Sequence, residues 1–232
     1  MQPIILLHGA LGSANQLQPL AEALESHFEV HTFNFSGHGG RPFGNKQFSI
    51  SLFSEQINEY MQVSGISRAP VFGYSMGGYA AMYLASRFPG KISKLITLAT
   101  KYHWDEKTAA REVKMLDGKT IREKVPAFAT QLEERHTPND WLVLLEKTSQ
   151  LLTDLGKHNV LQPEDYTSVT TPCLLLLGDR DKMVTLDETV AVYKQLPNAQ
   201  LGVLPGTPHA FEQVNVSLLS RLIKEFVALP NQ

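Results

Sequence analysis

One cysteine, Cys173, is all the thiol the 232-residue chain contains. It excludes an intrachain disulfide and a zinc site built from thiolates. Charge of one sign is missing too: 21 Lys plus Arg stand against 23 Asp plus Glu, a formal net charge of -2. That balance gives no footprint for nucleic acid or an anionic membrane. Long apolar runs are absent as well. The stretch from Cys173 to Leu177 is far short of the roughly 20 residues that span a bilayer. The start, Met1-Gln2-Pro3-Ile4, has no basic segment ahead of its apolar residues, so no signal peptide is expected. A reduced, cytoplasmic protein, monomer or homodimer, is the expectation. What the chain does have is core material: 43% hydrophobic residues against 19% charged, enough for one domain with an insertion.

Short apolar runs alternate with longer amphipathic ones. Ile4 to Leu7, Phe28 to Phe35, Pro70 to Phe72, Lys94 to Ala99, Pro172 to Leu177 and Gln200 to Leu204 read as strands. Helical spacing appears around Leu17 to Leu24, Leu52 to Met61, Gly77 to Phe88, Ala191 to Leu196 and Val214 to Val227. Strand and helix in alternation predict an α/β fold, a mostly parallel sheet of about six strands with helices on both faces. From about 101 to 169 no strand pattern appears, and Val113, Leu116, Phe128, Leu132, Leu142, Leu145 and Leu152 fall at helical spacing. Seventy residues are too many for a loop. The expected organisation is a core of residues 1–100 and 170–232 carrying a helical cap of residues 101–169.

The chemistry gathers at strand ends. Val71-Phe72-Gly73-Tyr74-Ser75-Met76-Gly77-Gly78 runs a strand into Gly-x-Ser-x-Gly and then a helix. This arrangement puts the Ser75 hydroxyl on a sharp turn, where it is exposed as a nucleophile. Side chains at 73 and 77 would collide with the turn, and Gly78 lets the helix approach the strand. The Met76 N–H and the helix N-terminus stand where negative charge develops. A nucleophilic serine needs a base and an orienter. Of eight histidines, His209 lies in Pro208-His209-Ala210, directly after the last strand. His27, His136 and His158 read as solvated or core imidazoles. Two aspartates compete in Gly178-Asp179-Arg180-Asp181. Asp179 can cap the turn, and Asp181, farther out, can reach the imidazole. Near the N-terminus, Leu7-His8-Gly9-Ala10-Leu11-Gly12 offers an Ala10 N–H that with Met76 makes a two-donor oxyanion hole, while His8 is expected to bond backbone. A substrate pocket is expected from Leu11, Tyr74, Trp104, Phe128 and Trp141. No metal and no organic cofactor are implied.

The set His8-Gly9, Ser36-Gly37-His38-Gly39, Gly73-Tyr74-Ser75-Met76-Gly77-Gly78, Gly178-x-x-Asp181-x-x-Val184 and Pro208-His209 resembles the α/β-hydrolase superfamily, in that superfamily's order of Ser, Asp, His. The resemblance covers nearly the whole chain outside the helical insertion. It implies that Asp181 is the triad acid, that Ala10 gives an oxyanion N–H, and that the substrate is a small-molecule carboxylic ester or thioester cleaved through an acyl-enzyme. The elbow is also similar to that of the menaquinone-pathway synthase that eliminates pyruvate from a succinylated cyclohexene. That family generally carries arginine where this chain has Tyr79, and Arg41 is the nearest substitute. A third class, a ligand sensor that keeps the triad and signals through a partner, is required by nothing in the sequence.

Overall fold

The computed structural model describes residues 1–230; the last two residues of the expected core segment 170–232 lie outside it. Six strands form one sheet in the order β2-β1-β3-β4-β5-β6. They are β1 (Gln2–Leu7), β2 (Phe28–Thr32), β3 (Ala69–Tyr74), β4 (Ile92–Leu98), β5 (Cys173–Gly178) and β6 (Ala199–Leu204). Every neighbouring pair is parallel. The expected second strand is shorter than its pattern: β2 stops at Thr32, and Phe33 and Phe35 turn inward. Phe33 stacks on Tyr60 at 4.7 Å between ring centroids, and Phe35 packs on Phe53 at 5.0 Å. Aromatic burial overrides the alternation there.

Period-two alternation then assigns the helices to faces. Ile4, Leu6, Phe72, Ile96, Leu98, Leu174 and Leu176 share one cluster with α1 (Gln18–Leu24) and α10 (Val216–Ala228). Ile5, Leu7, Val71, Leu95, Cys173 and Leu175 share the other with α2 (Ile50–Val63), α3 (Met76–Arg87) and α9 (Leu186–Tyr193). Side chains such as Ile4, Leu7, Val71 and Leu175 are fully buried, and each contributes about 1.5–3 kcal/mol by leaving water. Cys173 belongs to this core, and burial pushes its thiol up to about 12.

Between β4 and β5 run α4 (Glu106–Val113), α5 (Gly118–Lys124), α6 (Pro126–His136), α7 (Trp141–Lys157) and α8 (Pro163–Thr167). Asp105, Asp117 and Asp140 cap the first, second and fourth of these, each side chain accepting from a first-turn N–H. Two clusters hold the segment in place. Leu144, Leu151 and Leu155 of α7 enter the same cluster as Ile50, Phe53 and Tyr79. Ile121, Ala129, Leu132, Trp141 and Leu145 make a small core of their own. The chain reverses direction across the sheet between β1 and β3, so the loops after those two strands flank one crevice, the usual ligand position in open parallel sheets.

Candidate active site

Ser75 sits between β3 and α3 with φ 51° and ψ -116°, a left-handed backbone on a residue with a side chain. Such strain persists only where neighbours fix it. Here the Ser75 N–H donates to Leu98 O at 2.9 Å, and Ser75 O accepts from the Tyr79 N–H and the Thr100 hydroxyl. The surrounding glycines are demanded by space. A Cβ on Gly77 would stand 2.6 Å from His8 O, and one on Gly78 would strike the Thr100 hydroxyl.

His209 follows β6, on the loop that the chain order predicts. Its Nε2 lies 3.3 Å from Ser75 Oγ, and its Nδ1 lies 2.8 Å from Asp181 Oδ2. The Nδ1–H therefore points at the carboxylate and Nε2 is left as an acceptor facing the serine hydroxyl. The other Asp181 oxygen accepts from the Met183 and Val184 N–H groups at 2.8 and 2.9 Å. Burial alone would raise this carboxyl. The His209 hydrogen bond and charge, with the two backbone donors, outweigh burial and hold it below the usual carboxylate range. Asp179 is used otherwise: its Oδ1 accepts from the Thr207 N–H at 3.2 Å and braces the loop that carries His209. The Tyr74 hydroxyl braces the same loop, donating to His209 O at 2.8 Å, and burial raises its pKa.

Ala10 and Met76 both line the cavity beside Ser75. Neither of their N–H groups has a hydrogen-bond acceptor among the described residues, so both are available to an oxyanion. His8 does bond backbone. Its Nδ1–H donates to Gly9 O at 2.8 Å and its Nε2 accepts from the Phe35 N–H at 3.2 Å.

The cavity holds about 300 Å³. Leu11, Tyr74, Trp104 and Phe128 of the expected pocket residues line it. Trp141 does not. It is buried in the small helical core with Ile121, Leu132 and Leu145, and the Arg122 guanidinium sits over its ring. Its bulk fills an interior between helices that periodicity could not distinguish from a ligand wall. Arg41 is also outside the cavity, exposed and donating to Asn34 O. The arginine that does line it is Arg135 of α6, whose Nη1 donates to Leu11 O at 3.0 Å and Nη2 to Glu212 at 3.2 Å. Glu112 and Lys101 line it as well. Lys101 Nζ donates to Met183 O at 2.6 Å and to Glu188 at 3.2 Å, joining the end of β4 to the Asp181 loop. Sequence spacing carries no signal for these. They arrive from segments whose docking depends on tertiary packing.

Three buried histidines lock the α6 end to the sheet loops. His136 donates from Nε2 to Leu11 O and accepts at Nδ1 from the Gly39 N–H, both at 3.1 Å. His38 lies between it and His8, ring centroids 5.9 and 5.0 Å away. Burial holds His8 and His136 down to about 4 and His38 well below the ordinary imidazole value.

A family model described as alpha/beta hydrolase fold matches residues 2–141. Among curated relatives, a pimeloyl-[acyl-carrier protein] methyl ester esterase of Neisseria meningitidis is 23% identical, over 98% of this chain and 94% of the relative. A Bacillus subtilis protein provisionally named a 2-succinyl-6-hydroxy-2,4-cyclohexadiene-1-carboxylate synthase is also 23% identical, over 97% and 90%. Among solved structures, 2-hydroxy-6-oxo-6-phenylhexa-2,4-dienoate hydrolase from Rhodococcus sp. strain RHA1 superposes with a TM-score of 0.82, at 20% identity, over 98% of this chain and 91% of the other. That likeness shows the shared fold. Among the described residues no helix is long and apolar enough to cross a membrane, and no cluster of His, Cys, Asp or Glu could hold a metal ion.

Proposed function

The chain belongs to the alpha/beta hydrolase fold family, and from that premise we propose that it is a serine hydrolase cleaving a small-molecule carboxylic ester or thioester through an acyl-enzyme. The observation that carries this reading is the hydrogen-bonded line Ser75 Oγ, His209, Asp181 at 3.3 and 2.8 Å. In the proposed course, Ser75 Oγ attacks the acyl carbon while His209 Nε2 takes its proton. Asp181 fixes the imidazole tautomer and stabilises the imidazolium. The tetrahedral oxyanion is held by the Ala10 and Met76 N–H groups; loss of one such donor costs on the order of 3 kcal/mol of catalysis. His209 then protonates the leaving group, and water, activated by the same imidazole, releases the acid. The separation of 3.3 Å between Oγ and Nε2 is long for a strong bond, and such bonds tighten when substrate binds. In this scheme residues 101–169 act as the cap that closes the acyl pocket, with Leu11, Trp104 and Phe128 on its walls.

The carbon–carbon alternative needs a cation free to take a substrate carboxylate. Arg135 is the cavity's guanidinium, and it is already engaged by Leu11 O and Glu212. That engagement favours the ester. The deciding experiment runs p-nitrophenyl esters of increasing acyl length beside a carboxylated cyclohexadiene substrate. Ester turnover without elimination is expected; elimination without ester turnover overturns the proposal.

A further inference from the structure

Lys101, just past the end of β4, is a lysine largely withdrawn from water. Its side chain is 9% exposed, and it pairs at 3.2 Å with Glu188 of α9, whose side chain is 11% exposed. Taking both charges out of water is expensive, and such a pair often stabilises a fold no better than two apolar side chains would. What distinguishes this pair is where the second Lys101 bond goes. Nζ also donates to Met183 O at 2.6 Å. That carbonyl and the Val184 N–H are the two ends of one planar peptide unit. The Val184 N–H donates to Asp181 Oδ1 at 2.9 Å, and Asp181 Oδ2 faces His209 Nδ1 at 2.8 Å. A line of hydrogen bonds thus runs from the ammonium, through one peptide plane and one carboxylate, to the imidazole. Glu188 anchors its start. Its Oε2 accepts from Lys101 and from the Thr185 N–H at 3.1 Å, and its Oε1 accepts from the Tyr102 N–H at 3.3 Å. The ammonium is therefore fixed against both the end of β4 and the start of α9.

We infer that Lys101, held by Glu188, is a positioning residue for the proposed triad: its grip on the Met183 carbonyl sets the Met183–Val184 peptide so that the N–H aims the Asp181 carboxylate at His209. This rests on the serine hydrolase reading, since it assigns the support beneath that reading's orienting acid. Two physical effects act together. A planar peptide cannot turn its N–H without turning its C=O, so a charge-assisted bond at one end restrains the donor at the other. A cation on the carbonyl also polarises the amide and strengthens its N–H as a donor to the carboxylate. Lys101 needs no contact with substrate to do this. It acts through the backbone of the Asp181 loop.

The test is a double-mutant cycle on the full chain, with p-nitrophenyl butanoate as substrate. Lys101→Met keeps an apolar stem and removes the charged donor. It should lower kcat by about ten- to a hundredfold, because the carboxylate loses its aim. KM should stay within about twofold, because the pocket walls remain. In an Asp181→Asn background the same change should lower kcat by less than about twofold, since the line is already cut at the carboxylate. Should Lys101→Met fail to fold with Glu188 left unpaired, Lys101→Met/Glu188→Gln leaves no buried charge and takes its place in the cycle. Equal losses in the wild-type and Asp181→Asn backgrounds overturn the inference. An unchanged kcat, or a loss confined to KM, overturns it as well. In each of these cases a fluorophosphonate adduct on Ser75 leaves the serine reading standing. No adduct on Ser75 overturns the reading and the inference together.

Discussion

Asp181 and Asp179 stand two residues apart on one loop and face different partners: Asp181 Oδ2 lies 2.8 Å from His209 Nδ1, while Asp179 Oδ1 takes the Thr207 N–H at 3.2 Å. One orients the imidazole and the other the loop beneath it. Asp181→Asn should therefore cost about 10⁴ in kcat by stabilising the wrong imidazole tautomer. Asp179→Asn keeps an acceptor for Thr207 and should cost less than about tenfold. Steady-state kinetics on the two folded variants separate them, and equal losses would withdraw the orienting role from Asp181.

Acid should unfold the protein through its buried histidines. His8, His38 and His136 all have depressed pKa values in the fold, so the folded state binds fewer protons than the unfolded chain. Their contribution is fully present above the unfolded value of about 6.5 and is lost as pH falls toward 4. Melting temperature measured from pH 7.5 to 4 should fall through that window. Asp181, also depressed, adds its loss lower, as pH drops below the ordinary carboxylate value. A flat Tm between pH 6.5 and 4.5 would contradict neutral, buried rings at these positions.

Arg135 links α6 to Leu11, next to Ala10, and to Glu212, three residues past His209. Arg135→Met removes both ties and lets the Ala10–Leu11 loop relax. It should lower kcat/KM by about tenfold through misplaced donors, with Ser75 still reactive. Arg135→Lys, a point charge without the planar fork, should recover only part of the loss. Unchanged kinetics in Arg135→Met would show that the loop needs no support from α6.

Phe128 and Trp141 are both large aromatics of the helical segment, and they should respond differently. Phe128 borders the cavity, so Phe128→Ala should move the preferred acyl length upward, at about 1–3 kcal/mol per methylene accommodated. Trp141 is 4% exposed in the helical core. Trp141→Ala should instead destabilise by about 3–5 kcal/mol and leave the length profile alone. A length series and thermal melts on both variants check this; a shifted profile in Trp141→Ala would put its ring at the ligand.

These contrasts show where sequence was informative. The sheet was legible because parallel strands buried on both faces are short apolar runs, as in Ile4 to Leu7, and because Gly-x-Ser-x-Gly imposes its own turn. The positions of Ser75, Asp181 and His209 after the carboxyl ends of β3, β5 and β6, on one edge of the sheet, follow from that topology. The helical segment was legible only as helical. Periodicity distinguishes a buried side from an exposed one, and it cannot tell whether the buried side meets another helix, as Trp141 does, or a cavity, as Phe128 does. Arg135 with Glu212, 77 residues apart, and Glu112 on the cavity wall depend on how α4, α6 and α7 dock, which no local pattern encodes. The early end of β2 has the same origin, since Phe33 and Phe35 find partners on α2.

The proposed reaction stands on Ser75 as the nucleophile. Its most direct test is incubation with a fluorophosphonate followed by peptide mass mapping, in the wild type and in Ser75→Ala. A single adduct is expected on the peptide containing Ser75, absent from the folded Ser75→Ala protein, which also loses ester turnover by several powers of ten. An adduct on another serine, such as Ser13 or Ser36, or full labelling of Ser75→Ala, would contradict it.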